Sequence, residues 1–96
     1  MLLRIVKLHF KEENISAFKH VFETSRSHIQ NFEGCSLVDL YQDANNPNIF
    51  FTYSHWDSLE ALENYRHSDF FKGVWKETKK LFGAKPEAWS LENITS

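Results

Sequence analysis

Residues 49–62 read Ile49-Phe-Phe-Thr-Tyr-Ser-His-Trp56-Asp57-Ser58-Leu-Glu-Ala-Leu62, and this stretch decides the fold. Its first part, Ile49 to Trp56, is rich in aromatic and β-branched side chains, which predicts a strand. Asp57, with a glutamate three positions later, resembles a capping box and predicts the start of a helix. The inner side of this helix is predicted to carry Leu59, Leu62 and Tyr65.

The sequence before this stretch predicts a strand, a helix and a second strand. Leu2 to Phe10 alternates residues in a strand pattern. Ile15 to Asn31 carries apolar residues at helical spacing, with Asn14 as the N-cap and Gly34 as the terminator. Cys35 to Asp43 predicts the next strand, and an asparagine-rich turn follows it. The second and third strands should therefore form an antiparallel hairpin.

The sequence after Leu62 predicts a further helix and a last strand. Ser68 should cap a helix from Asp69 to Phe82, which Gly83 ends. Pro86 to Ile94 predicts a fourth strand at a sheet edge, since proline is tolerated at a strand start. The resulting order, β-α-β-β-α-β, is the ferredoxin-like pattern: an α+β fold with an antiparallel sheet and all helices on one face.

The third strand also predicts a second copy of the chain. Its residues from Ile49 to Tyr53 are apolar on both faces, so both faces should be covered. The helices can cover only one of them. A second sheet is the simplest cover for the other, which predicts a two-fold symmetric homodimer packed sheet to sheet. The alternative is a monomer with partly exposed aromatic side chains.

Length and composition exclude several classes of protein. Ninety-six residues predict a single domain over 1–96, and a net charge of −2 argues against a nucleic-acid partner. Cys35 is the only cysteine, so no internal disulfide forms. The sequence predicts neither a signal peptide nor a membrane partner, because no apolar stretch approaches spanning length. The expected location is the cytoplasm.

Several short motifs together resemble a known family. They are the aromatic strand ending in Trp56-Asp57-Ser58, the following Glu60-Ala61-Leu62, and Ser68-Asp69-Phe70-Phe71-Lys72. The turn Phe32-Glu33-Gly34-Cys35 precedes them. In order and spacing they resemble the antibiotic biosynthesis monooxygenase domain family along the whole chain. The resemblance implies ferredoxin-like subunits in a dimeric α+β barrel. It also implies a cofactor-independent monooxygenase of a small aromatic or quinol-type metabolite.

The resemblance also bears on cofactors. The haem-degrading branch of the family uses an asparagine, a tryptophan and a histidine at positions that look like Val6, Tyr65 and Trp75 here. All three differ, so no haem ligand is implied. Many quinol-oxidising relatives carry a histidine where Tyr65 stands. Asp39 and Asp43 form no metal-type cluster with the histidines, and no metal or other cofactor is expected.

Cofactor-free oxygenation requires a base with a pKa near the working pH and a dry aromatic pocket. Histidine is the natural base. His55, at the end of the third strand, and His67, at the break between two helices, are the candidates, and Tyr65 can orient a substrate oxygen. We expect a pocket between helices and sheet, with one of these histidines at its rim. The residues predicted to bind the substrate there are Phe71, Trp75, Phe22 and Trp56.

Two other functions fit this topology. A non-catalytic dimeric barrel that binds a small ligand would use the same aromatic side chains, which are also typical of an ordinary core. An RNA-recognition domain shares the strand and helix order. It would need a basic residue, glycine and an aromatic in succession on the third strand, and a basic face. Neither feature is present, so the ligand-binding barrel is the stronger alternative.

Overall fold

The chain folds as an antiparallel sheet with helices packed on one face. The structure, a computed structural model, describes residues 1–95. The strands are Leu2–Phe10 (β1), Cys35–Gln42 (β2), Ile49–Trp56 (β3) and Phe82–Glu92 (β4). The helices are Ile15–Gln30 (α1), Leu59–Arg66 (α2) and Asp69–Lys79 (α3), and a 3₁₀ turn, Glu12–Asn14, precedes α1. The predicted ferredoxin-like order, with its helical break at Ser68, is confirmed.

The sheet runs in the order β2-β3-β1-β4, with every neighbouring pair antiparallel. β4 is therefore an edge strand, as predicted. In the register of the central pair, Leu2 lies opposite Trp56 and Leu8 opposite Phe50. These four side chains are buried against the helices. Because side chains alternate along a strand, the odd-numbered residues of β1 and β3 lie on the other face of the sheet.

Two buried clusters join the helices to the sheet. One is centred on Trp56, Leu62 and Tyr65, and the other on Phe10, Phe18 and Phe50. Aromatic rings stack within both: the ring centroids of Phe10 and Phe18 are 4.1 Å apart, and those of Trp56 and Tyr65 are 4.9 Å apart. Stacked and edge-on pairs of this kind add to the stabilisation from burial.

One predicted helix cap is wrong. Ser58, not Asp57, caps α2, because its hydroxyl oxygen accepts a hydrogen bond from the Ala61 amide at 3.1 Å. Asn14 occupies the N-cap position of α1 as predicted, but its side chain makes no capping hydrogen bond and its amide donates to the Leu81 carbonyl at 3.2 Å. Leu59 is exposed rather than inward-facing. The Ser68 cap is as predicted: its hydroxyl oxygen accepts from the Phe71 amide at 3.1 Å.

The last helix ends earlier, and the last strand begins earlier, than the sequence predicts. α3 ends at Lys79, and β4 begins at Phe82 instead of Pro86 and ends before Ile94. The reason is tertiary: the Phe82 ring packs against Phe10 at a centroid distance of 5.4 Å, and the two backbones pair. Gly83 therefore lies inside the strand rather than ending the helix.

The face of the sheet away from the helices is largely apolar, apart from charged groups such as the ion pair of Lys7 and Glu87. It carries side chains from all four strands, among them Ile5, Phe51 and Tyr53 in the centre. Tyr41, Trp89 and Leu91 on the edge strands are 54%, 43% and 43% exposed. Within residues 1–95 no helix packs on this surface, which we call the open face. An exposed patch of this size is typical of an interaction surface.

Candidate functional site

A cavity of about 320 Å³ lies between the helices and the sheet. All four strands and all three helices contribute side chains to its lining, which is mostly apolar and joins the two buried clusters. Its volume is about twice that of a roughly 150 Å³ cavity that accepts benzene. The cavity therefore suits a molecule of one or two fused rings, at the small end of the range for ligand sites.

Aromatic side chains form one wall of the cavity, and all five aromatic residues predicted for the site line it. These residues are Tyr65, Phe71, Trp75, Phe22 and Trp56. Tyr65 lies between neighbours, with its ring centroid 4.9 Å from that of Trp56 and 5.0 Å from that of Phe71. Phe71 in turn stacks on Trp75 at 6.0 Å. Each ring restricts the next, so the wall is organised before any ligand enters.

Tyr65 presents a hydroxyl group to an apolar surrounding. Burial first, and the nearby Cys35 thiol second, raise the pKa of Tyr65 well above its ordinary value. The phenol therefore stays protonated at neutral pH and donates a hydrogen bond rather than accepting a proton. Its backbone is held at the end of α2, where the Tyr65 carbonyl accepts a hydrogen bond from the Ser68 hydroxyl at 2.6 Å.

His55 does not reach the cavity, contrary to the expectation that it lies at the rim. It lies opposite Leu3 and Leu37 on the open face, and its ring is 5.2 Å from that of Tyr53. The period-two alternation of β3 is the reason, because Ser54 and Trp56 on either side point toward the helices. The His55 Nε2 atom is buried and has no hydrogen-bond partner within residues 1–95.

His67 also lies outside the cavity lining. It follows the last residue of α2 and its side chain is 76% exposed. Its Nε2 atom is 3.4 Å from a carboxylate oxygen of Glu63. His67 is exposed because the end of α2 that carries it faces solvent. The expectation of a histidine at the rim is therefore wrong for both candidates, and no histidine lines the cavity within the described residues.

Two arginines that the sequence patterns do not predict for the site also line the cavity. Arg4 faces the helices from β1, and Arg66 ends α2. Burial first, and Arg66 second, lower the pKa of Arg4, while Glu63 opposes them. The available signal was the alternation of β1, which places a charged residue at position 4 on the same face as Val6 and Leu8.

Residues 1–95 contain neither a cluster of metal-ligand side chains nor a helix suited to spanning a membrane. No group of three or more histidine, cysteine, aspartate or glutamate side chains lies close enough to hold a metal ion there. No helix in that range is long and apolar enough to cross a membrane. Cys35 is half-buried, and burial raises the pKa of its thiol, which lowers its reactivity.

Comparison with protein families gives one result. Residues 1–76 match the family model described as Antibiotic biosynthesis monooxygenase. This range includes β1 to β3, α2 and most of α3, and hence the aromatic wall of the cavity. No curated protein matches the chain.

Solved structures resemble the chain along its whole length. A structure named antibiotic biosynthesis monooxygenase has a TM-score of 0.92 at 17% identity, covering 99% of this chain and 100% of its own. A conserved protein from Methanosarcina mazei Go1 has a TM-score of 0.89 at 23% identity, covering 95% and 91%. PA3566 from Pseudomonas aeruginosa has a TM-score of 0.86 at 18% identity, covering 98% and 94%. At these identities the likeness establishes the fold alone.

Proposed function

This chain belongs to the antibiotic biosynthesis monooxygenase family, and on that premise we propose that it is a monooxygenase of a small aromatic or quinol-type metabolite. The reaction uses dioxygen without a cofactor, in the cavity between helices and sheet. The observation that carries the proposal is the aromatic wall formed by Trp56, Tyr65, Phe71 and Trp75, which encloses space for one or two fused rings. Such walls hold planar ligands by stacking and exclude water.

The chemistry needs no external reductant. An electron-rich phenol or anthrone loses a proton to water, and the anion passes one electron to dioxygen, giving a substrate radical and superoxide. The two combine into a peroxide anion at a ring carbon, which takes a proton back from water and becomes a hydroperoxide. Loss of water then leaves a carbonyl, so one oxygen atom stays in the product and the other leaves as water. The substrate supplies every electron that reduces dioxygen, and the net change is from a CH₂ group, or its enol form, to a carbonyl.

Within this proposal Tyr65 orients the substrate. Its protonated hydroxyl donates a hydrogen bond to a ring oxygen, which is the role left to a phenol whose pKa is raised by burial. Phe71 and Trp75 on one side and Phe22 on another hold the ring. Ser54 accepts a hydrogen bond from Trp56 Nε1 at 3.0 Å, which leaves its own hydroxyl hydrogen available to the ligand.

A second candidate function is a non-catalytic barrel that binds a small ligand. One observation favours it: within residues 1–95 the cavity lining has no base. No histidine lines it, and the raised pKa of Tyr65 leaves too little tyrosinate near neutral pH to accept a proton. The aromatic wall serves both functions equally. Consumption of dioxygen in the presence of substrate distinguishes the monooxygenase from the ligand-binding barrel.

Oxygen uptake tests the proposal. Purified protein, dialysed against a chelator, should consume dioxygen with dihydroxynaphthalenes or anthrones without added flavin, nicotinamide or metal. We expect one dioxygen consumed for each quinone formed. Tyr65→Phe should slow turnover by about tenfold, because one hydrogen bond to a charged oxygen is lost. If aromatic ligands bind in the cavity but none of the panel consumes oxygen above the protein-free rate, the binding function replaces the enzymatic one.

We also propose that the protein is a homodimer in which the open faces of two sheets pack together. Exposed Tyr41, Trp89 and Leu91 and the central Phe51 support this arrangement, since burying them releases water from apolar surface.

The dimer proposal predicts a particle of twice the 11.4 kDa chain mass. Light scattering after size exclusion at micromolar concentration measures it. Phe51→Lys places a charge in the centre of the open face and should give a folded monomer. Thr24→Lys, on the exposed side of α1, is the control and should leave the mass unchanged. A wild-type monomer at these concentrations would reject the sheet-to-sheet model.

A further inference from the structure

Two cationic side chains enter the mostly apolar cavity. Arg4 reaches it from β1, where its Nη1 atom donates to the Ser90 hydroxyl oxygen at 2.8 Å. This hydrogen bond holds the guanidinium on the helix side of the sheet, since Ser90 lies opposite Arg4 in β4. Arg66 enters from the end of α2, and its Nη1 atom donates to Glu63 Oε1 at 2.9 Å.

Arg66 forms a salt bridge with a carboxylate, whereas Arg4 forms none within residues 1–95. Glu63 pairs with Arg66 through one oxygen, and its other oxygen lies 3.4 Å from His67 Nε2. Arg66 lowers the pKa of Arg4, and Glu63 raises it. The third charged residue of the cavity lining, Glu87, pairs with Lys7 at 3.7 Å. The two guanidinium groups and the Glu63 carboxylate therefore give a net charge of +1 beside the aromatic wall.

We propose that Arg4 and Arg66 form an anion site within the cavity, and that the ligand is an aromatic molecule bound through an oxyanion, either a carboxylate or an ionised phenol or enol. This inference deepens the proposed function and rests on it for its catalytic meaning. An ionised phenol or enol is the form that gives an electron to dioxygen.

Electrostatic attraction explains why these two arginines would bind an oxyanion. A guanidinium fork matches an oxyanion with paired hydrogen bonds, and such charge-assisted bonds are strong in a partly dry site. Burial partly desolvates the Arg4 guanidinium, and the positive charge of Arg66 also lowers its pKa, so a ligand anion bound beside Arg4 offsets the positive charge there. The same field lowers the pKa of a bound phenol, so the substrate ionises without a histidine beside it.

Binding affinities test the inference without requiring turnover. The ligand pair is naphthoate and its neutral isostere naphthamide, and hydroxynaphthoquinone serves as the ionised enol. Calorimetry compares wild-type protein with Arg4→Met and Arg66→Met, which keep an unbranched apolar stem and remove the guanidinium group. Arg26→Met is the matched control, since Arg26 pairs with Asp39 at 2.7 Å outside the cavity lining. Chemical denaturation verifies that each variant is folded.

We expect wild-type protein to bind naphthoate at least about tenfold more tightly than naphthamide, as charge-assisted hydrogen bonds to one group imply. Arg4→Met should lose this preference while binding naphthamide normally, and Arg26→Met should keep it. If wild-type protein binds hydroxynaphthoquinone more tightly than naphthamide but binds naphthoate no more tightly than naphthamide, the site takes enolates and not carboxylates. Equal affinities of wild-type protein for all three ligands, or a preference for the anion that survives both Arg4→Met and Arg66→Met, would overturn the inference.

The failures of the two proposals are distinguishable. Tight anion binding without oxygen uptake on any substrate removes the enzymatic function and leaves the anion site. Oxygen uptake on a neutral quinol that is equally fast in wild-type protein and Arg4→Met removes the anion site and leaves the enzyme.

Discussion

Gly34→Ala is expected to lower the free energy of unfolding by about 3 kcal/mol, because it combines backbone strain with a steric clash. Gly34 has a φ of +88°, a conformation that side chains with a Cβ rarely adopt. An added Cβ would also overlap the Cβ of Ala61 in α2. The Gly34 carbonyl accepts a hydrogen bond from the Asp57 amide at 2.8 Å, so this turn holds the start of the helix that carries Tyr65.

Urea denaturation measures this effect, and the chain supplies its own control. Gly73 lies on the exposed side of α3, where an added Cβ meets nothing within 4 Å. Gly73→Ala should therefore stabilise the protein by about 0.5–1 kcal/mol through helix propensity. Adding Ala61→Gly to Gly34→Ala should restore the part due to the clash, less the roughly 0.5–1 kcal/mol that a glycine costs in a helix, and leave the part due to φ. A Gly34→Ala variant as stable as Gly73→Ala would contradict the positive φ and the close contact with Ala61 on which this prediction rests.

Ala88→Trp is expected to weaken binding of a two-ring aromatic ligand by about a hundredfold or more, which corresponds to roughly 2.7 kcal/mol. Ala88 lies in β4 opposite Val6, on the helix side of the sheet, and lines the cavity. It is exposed in the edge strand, so a larger side chain can enter the cavity without disturbing the two buried clusters. An indole in a cavity of about 320 Å³ leaves no room for two rings.

Ala84→Trp is the matched control, because it makes the same substitution in the same strand at an exposed position outside the cavity lining. It should bind the ligand as wild-type protein does. Calorimetry with naphthoate measures both variants, and thermal unfolding verifies their folding. Full affinity in a folded Ala88→Trp variant would place the ligand elsewhere on the molecule.

Most of the architecture was predictable from local patterns. The alternation from Leu2 to Phe10 and the aromatic run from Ile49 to Trp56 are strong strand signals, and Ser68 is a strong cap. The errors occurred where distant contacts decide. Phe82 was assigned to α3 by its spacing, but it joins the sheet because its ring packs on Phe10 from the first strand. No pattern within the last residues of α3 contains that contact.

The aromatic residues of the site were predictable from the sequence, but its polar groups were not. Helical spacing places Tyr65 on the inner side of α2 and Phe71 and Trp75 on one face of α3, and all three line the cavity. Histidine has the right chemistry for a base, but strand parity assigns His55 to the open face. The same parity places Arg4 inside, although an arginine near the start of a strand is usually a surface residue.

Amide NMR shift mapping tests the central claim, that the cavity between helices and sheet is the ligand site. Naphthoate is titrated into ¹⁵N-labelled protein, and the shift of each backbone amide is followed. We predict the largest shifts at cavity-lining residues on three different elements, Val6, Thr52 and Tyr65, with little change at Tyr53 and Trp89 on the open face. Shifts confined to the open face, or no shifts at millimolar ligand, would contradict the account.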